Sequence, residues 1–260
     1  MPCDSFGATS LKLAFSGGIG TYYLDFLDQW DPKSPWHDKR VRQAASFAID
    51  RNALNKAETL GFSAPTGSLI PRALQFSKFF EPDAYDPAKA KKLLAEAGFP
   101  NGFDAGECSC DVAYSNIAEA IINDWQTIGI RVKLRPLERA AFFEQYGSKK
   151  LKNVIQGASG AFGNAATRLE AFVVTGGTYV YGTYPDIDGL FKEQAADLDA
   201  KRREATLHKI QQLVHEKAMY APIWQLAFLN GVGPRVEESG MGLIPGFAYS
   251  APYEDLKVKK

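Results

Sequence analysis

The tightest constraint in this chain is a junction near its middle. Ile117, Ile121, Trp125 and Ile128 recur at helical spacing, Gly129 stops the pattern, and Arg131-Val132-Lys133-Leu134-Arg135 then alternates polar with apolar residues. An amphipathic helix that passes through a two-residue turn into a half-buried strand is an α/β connection. Bundles and β-sandwiches lack such a unit, so a mixed sheet flanked by helices is expected.

The remaining elements fit that scheme. Asp38 is a good N-cap, and Val41, Ala44, Ala45, Ala48 and Ile49 predict an amphipathic helix with Arg40, Arg42 and Gln43 outward. Asp50-Arg51-Asn52 breaks or bends it before a second helical stretch, 53–60, and a loop punctuated by Gly61, Pro65, Gly67 and Pro71 follows. Asp86-Pro87 supplies a cap followed by proline at the first helical position, Leu93, Leu94 and Ala97 form a stripe, and Gly98 suits a left-handed stop. Further helices are expected over 138–146, through Leu169 and Phe172, and over 187–198 and 201–219, with strands near Val154-Ile155 and across 222–228. The stretch 230–260 mixes glycine and proline with Val232, Leu243, Ile244, Phe247 and Tyr253, so it is expected to lie on another body of protein.

Composition narrows the function classes. Thirty Lys+Arg balance thirty Asp+Glu for a formal net charge of +0, which argues against nucleic acid as the main partner. No run approaches the ~20 apolar residues of a membrane-spanning helix. The opening Met1-Pro2-Cys3-Asp4-Ser5-Phe6 lacks the basic start and apolar run of a secretory signal. Cys108 and Cys110 read as incidental thiols in a loop or weak strand, because no second Cys or His pair completes a tetrahedral site. His208 and His215 lie two helical turns apart, ~10 Å, too far to share one metal.

No nucleophile elbow, P-loop, zinc-protease or dinucleotide motif occurs in its required context. The glycine-rich loop 157–163 has the residue type for an anion nest, which leaves a hydrolase or transferase on a peptide or sugar derivative as the alternative reading. Aromatic residues gather in the segments read as loops, Tyr22, Tyr23, Trp30 and Trp36 early and Phe162, Tyr179, Tyr181 and Tyr184 later. Such side chains suit ligand clefts and cores alike.

A family resemblance adds to this reading. Gly20-Thr21-Tyr22-Tyr23-Leu24-Asp25-Phe26, Pro35-Trp36-His37-Asp38-Lys39-Arg40-Val41-Arg42-Gln43-Ala44-Ala45 and Ala48-Ile49-Asp50-Arg51 resemble extracellular solute-binding family 5. So do Tyr85-Asp86-Pro87-Ala88-Lys89-Ala90-Lys91-Lys92-Leu93-Leu94-Ala95-Glu96-Ala97-Gly98-Phe99, Gly129-Ile130-Arg131-Val132 and Tyr220-Ala221-Pro222-Ile223-Trp224. The family holds dipeptide- and oligopeptide-type receptors of ABC importers, and the resemblance covers about residues 20–260.

The resemblance implies the α/β C-terminal lobe of a two-lobed periplasmic binding protein, class II-like, taken from a larger exported protein. It divides the chain into an incoming hinge segment, 1–20, a solute-binding lobe, 21–229, and a tail, 230–260, that returns to an N-terminal lobe. Partners would be a small peptide-like or other polar solute, that missing lobe and a membrane permease, in the periplasm or on a lipid anchor. No cofactor, metal ligand or catalytic residue is expected.

The resemblance puts Tyr22 and Tyr23 near ligand. It also aligns Ser159-Gly160-Ala161-Phe162-Gly163-Asn164 with the peptide binders' Trp-x-x-Asp-Tyr-like stretch, whose carboxylate holds the peptide ammonium. Here the Trp and the Asp are both absent, removing a charge-assisted hydrogen bond worth ~1.5–3 kcal/mol and placing ordinary free peptides in doubt. Ser159, Phe162 and Asn164 then offer neutral contacts. Arg168 offers a guanidinium fork to a carboxylate or phosphate, with a surface ion pair to Glu170 as the competing reading.

Overall fold

The computed structural model describes residues 12–159, 163–241, 243–244 and 251–259. Strand β1 (Lys12–Phe26) leads to α1 (Lys39–Phe47), α2 (Arg51–Thr59), β2 (Ala64–Pro65) and α3 (Pro87–Glu96). Next come β3 (Phe103–Asp111), α4 (Ser115–Thr127), β4 (Ile130–Leu137), α5 (Arg139–Gly147) and β5 (Val154–Ser159). After α6 (Ala165–Phe172), α7 (Pro185–Ala196) and α8 (Ala200–Glu216), the chain returns through β6 (Tyr220–Val232) and the short β7 (Val236–Glu238) and β8 (Lys257–Val258).

Six strands make one mixed sheet in the order β2-β6-β1-β5-β3-β4. β3 runs parallel to β4 and β5, whereas β1 is antiparallel to both β5 and β6. The helix-to-strand junction expected from Gly129 is α4–β4, and Gly129 has φ +90° there. Its carbonyl crowds Gly102, where a Cβ would come within 1.9 Å of it, so the turn 100–102 and the junction are fitted to each other through glycine.

Alternation along each strand divides the apolar residues between two cores. On one face Tyr22, Leu24 and Phe26 of β1 pack with Val41 and Ala45 of α1, Leu94 of α3 and Ile121 and Trp125 of α4. On the other, Tyr23 packs with Phe142 and Tyr146 of α5, Leu169 and Phe172 of α6, Ile187 of α7 and Ile210 of α8. The sheet is therefore covered on both sides, the mixed α/β architecture expected.

The caps behave as the sequence indicates. Asp38 accepts from the Arg40 amide at 2.8 Å, Asp86 from Lys89 at 2.8 Å and Asp50 from Ala53 at 2.9 Å, the last starting α2 as a separate helix. Gly98, just beyond α3, has φ +93°.

Three expectations need correction. Arg42 faces inward: its guanidinium donates to the carbonyls of Trp36 (2.6 Å), His37 (2.9 Å), Lys217 (2.7 Å) and Ala218 (2.9 Å), so it clamps α1 to the end of α8. Helical periodicity marks it as polar and outward, but its fan of donors finds enough carbonyls to stay inside. Cys108 and Cys110 lie in no loop; both are buried in β3, and burial raises both thiol pKa values, that of Cys110 to about 11. Tyr22 and Tyr23, read as part of a loop, lie in strand β1, whose residues 21–26 pair with both β5 and β6 in the middle of the sheet.

The tail keeps its irregular character. β7 and β8 form a two-stranded ribbon, and Leu243, Tyr253, Leu256 and Val258 stand exposed, Tyr253 at 91%.

Candidate functional site

The two longest strands, β1 and β6, form a ribbon that carries the site. Their pairing runs from Asp25 opposite Tyr220 to Lys12 opposite Val232, with a register shift between Gly17 and Thr21. Among the described residues β5 pairs with β1 from Phe26 to Thr21, and the β1–β6 pairing runs on past that register to Lys12 opposite Val232. Where β5 stops, Ser159 stands opposite Thr21, and Thr21 stands opposite Gln225.

Tyr22 and Tyr23 are consecutive in β1 and therefore face opposite sides of the sheet. Tyr22 packs edge-on to Tyr114, ring centroids 4.9 Å apart, in the α1–α4 core. Tyr23 lies under α6, edge-on to Phe172 at 6.0 Å and to Tyr220 at 5.2 Å. Both are buried, and no single pocket on one face takes both rings. Burial, followed by the nearby Asp25 carboxylate, holds the Tyr23 phenol well above its usual pKa.

Asn164 acts as the N-cap of α6. Its Oδ1 accepts from the amides of Ala166 (3.0 Å) and Thr167 (3.4 Å), and its backbone bridges to Gln75. One turn later, Arg168 sets its guanidinium 5.8 Å from the Phe172 ring centre, with Tyr179 and Tyr23 close enough to act on its charge. Partial burial lowers the Arg168 pKa. The structure thus brings Tyr23, Arg168 and Asn164 to the α6 side of the sheet, beside the end of β5. Tyr22 falls on the opposite face. Ser159 is located by its backbone register alone, and Phe162, with most of the glycine loop, lies outside the described residues.

Several further polar residues lie nearby with buried side-chain atoms. The Thr21 hydroxyl, the Gln225 Nε2 and both amide atoms of Gln156 have no hydrogen-bond partner among the described residues. Asp25, deeper in β1, accepts a hydrogen bond from the Tyr146 hydroxyl at 2.8 Å. Burial drives its pKa up to about 7, against the lowering effect of that bond and of Lys149. Thr21 and Asp25 fall within the family-like run Gly20–Phe26, as polar interruptions of an otherwise apolar and aromatic strand. Among the described residues no group of three or more His, Cys, Asp or Glu side chains is placed to hold a metal ion.

The model of bacterial extracellular solute-binding proteins, family 5 middle region, matches residues 6–179. The chain belongs to that family. Heme-binding protein A of Haemophilus influenzae is 28% identical over 239 residues, covering 87% of this chain and 43% of that protein. The dipeptide-binding protein of Escherichia coli is 28% identical over 221 residues, covering 80% of this chain and 41% of that protein. The chain thus spans less than half the length of these family members.

Solved structures agree on the fold. The periplasmic binding protein DppA of Helicobacter pylori, in complex with the peptide STSA, superposes with TM-score 0.78 at 22% identity, over 92% of this chain and 48% of that one. The ABC transporter substrate-binding protein CtaP of Listeria monocytogenes superposes with TM-score 0.81 at 20% identity, over 96% and 52%. The family's own description is of extracellular solute-binding proteins of bacteria. No helix of the described residues is long and apolar enough to cross a membrane.

Proposed function

We propose that this chain is the second lobe of an ABC-importer receptor, which captures a small peptide-like or other polar solute against an N-terminal lobe and hands it to a membrane permease. The observation that carries this reading is the β1–β6 ribbon. One strand enters the sheet and the other leaves it side by side, and both extend past the last described pairing with β5. Two adjacent strands leaving one edge of a lobe are hinge material, because a rotation between lobes is absorbed by few backbone dihedrals. Residues 12–20 and 230–259 then belong to the hinge and the returning tail, and the exposed Leu243, Tyr253 and Leu256 rest on the other lobe.

In this reading the solute contacts the α6 side of the sheet end, with Arg168 turned to a carboxylate or phosphate of the solute and Ser159 and Asn164 beside it. Relatives named for dipeptide, glutathione and heme binding set the range to screen. The protein breaks no bond: binding favours the closed arrangement and shifts an open–closed equilibrium. The match to a family of solute-binding proteins supports a receptor over the hydrolase reading.

The test is a thermal-shift screen of the full-length protein with dipeptides, glutathione, heme and anionic amides, repeated on Arg168→Gln. A native-state ligand at a hundred times its Kd stabilises by about 2.7 kcal/mol. We expect a stabilising hit that Arg168→Gln weakens at least tenfold. Hydrolysis of a hit during incubation would overturn the receptor reading.

A further inference from the structure

Among the described residues Asp25 is a buried carboxylate with one neutral side-chain donor, Tyr146, which is itself part of a row of stacked rings. Phe172 stacks on Tyr179 at 5.0 Å and 20°, Tyr179 on Tyr146 at 4.8 Å and 26°, and Tyr146 on Tyr181 at 5.9 Å and 28°. Tyr179 and Tyr181 belong to the glycine- and tyrosine-rich segment 176–184, so the segment is pinned to the sheet by interleaving its rings with Tyr146. The same Tyr146 gives its hydroxyl to Asp25 at 2.8 Å.

Among the described residues, the titratable groups whose charges interact with Asp25 all belong to this assembly. Tyr23 shares its strand, Tyr146 comes from α5 and Lys149 from the turn after it, Tyr181 from the segment and Tyr220 from β6. Lys149 also donates through Nζ to the Thr178 carbonyl, and the Tyr181 hydroxyl accepts from the Leu151 amide at 3.2 Å. Lys149 is the only cation among these groups, and it stands at the mouth of the assembly over the Tyr181 ring, 5.3 Å from its centre. A negative charge on Asp25 therefore has one hydroxyl and one peripheral ammonium to meet it, and would gain most from admitting water.

We propose that Asp25 and Tyr146 form a proton-operated latch on segment 176–184: neutral Asp25 holds the segment down, and ionised Asp25 releases it. Water reaches the carboxylate by lifting Tyr179 and Tyr181, because the sheet and α5 close the other sides. Burial places the titration of Asp25 near neutrality, which puts release within the range the protein meets outside a cell. Tyr179 also acts on Arg168, so release loosens one wall of the candidate site. The latch is a property of the lobe and holds whichever solute is carried.

Hydrogen exchange of the whole chain, followed by mass spectrometry from pH 5 to 8 and corrected for intrinsic rates, tests this. One-proton linkage predicts that the opening equilibrium of 176–184 rises by up to about tenfold per pH unit until Asp25 is ionised, then levels off. Asp25→Asn should abolish the slope and keep the segment protected throughout. Tyr146→Phe removes a bond that favours the ionised form, so its midpoint should move to higher pH. A wild-type segment whose opening ignores pH, or an Asp25→Asn protein that keeps the slope, would overturn the latch. Should Asp25→Asn fail to fold, an unmoved midpoint in Tyr146→Phe overturns it.

Discussion

Gln156 carries an amide into the α1–α4 core between Leu24 and Cys110, and neither its oxygen nor its nitrogen finds a partner among the described residues. An unsatisfied buried polar group costs about 1–3 kcal/mol, so Gln156→Leu should stabilise the lobe by an amount of that order, read from urea unfolding. Arg42 shows the opposite case. Its guanidinium satisfies four carbonyls, and Arg42→Met should lower stability by at least about 1.5–3 kcal/mol in the same assay. Asp25 adds a pH dependence. The folded protein retains a proton up to about pH 7 that the unfolded chain releases near 3.8, so stability is greatest below pH 4 for this group and declines toward pH 7. The slope is at most about 1.4 kcal/mol per pH unit, and Asp25→Asn should remove it from urea titrations repeated across that range.

At the scale of elements, the helix starts are set by single carboxylates. Asp86→Ala should cost about 1 kcal/mol by removing the bond to the Lys89 amide, with the loss visible as a lower unfolding midpoint. These starts were legible because capping is local: Asp38, Asp86 and the Gly129 junction each act within a few residues. β1 was not legible. From Thr21 to Phe26 both of its faces are buried, so that stretch lacks the polar–apolar alternation that marks a half-buried strand. Arg42 misled for a related reason, since its partners lie 175 and 176 residues away in sequence at the end of α8. The candidate site was legible in part. Arg168 and Asn164 came from motif position, whereas Thr21, Gln225 and Asp25 acquire their setting only from strand pairing across β1, β5 and β6.

The whole molecule is a sheet sealed on both faces with a two-strand ribbon and an apolar tail at one side. Leu243, Tyr253 and Val258 are 60%, 91% and 58% exposed. A surface of that kind without its covering should drive self-association, so light scattering should show an apparent mass that rises with protein concentration. Joining the chain to an N-terminal lobe should suppress the rise. On the proposed two-lobe reading, this chain supplies only part of the solute contacts. Isothermal titration with the best solute from the thermal-shift screen, run on this 260-residue chain and on the full-length protein, measures that directly. The two-lobe account predicts clear binding by the full-length protein and none, or at most millimolar binding, by the chain alone; equal micromolar affinity for both would contradict it.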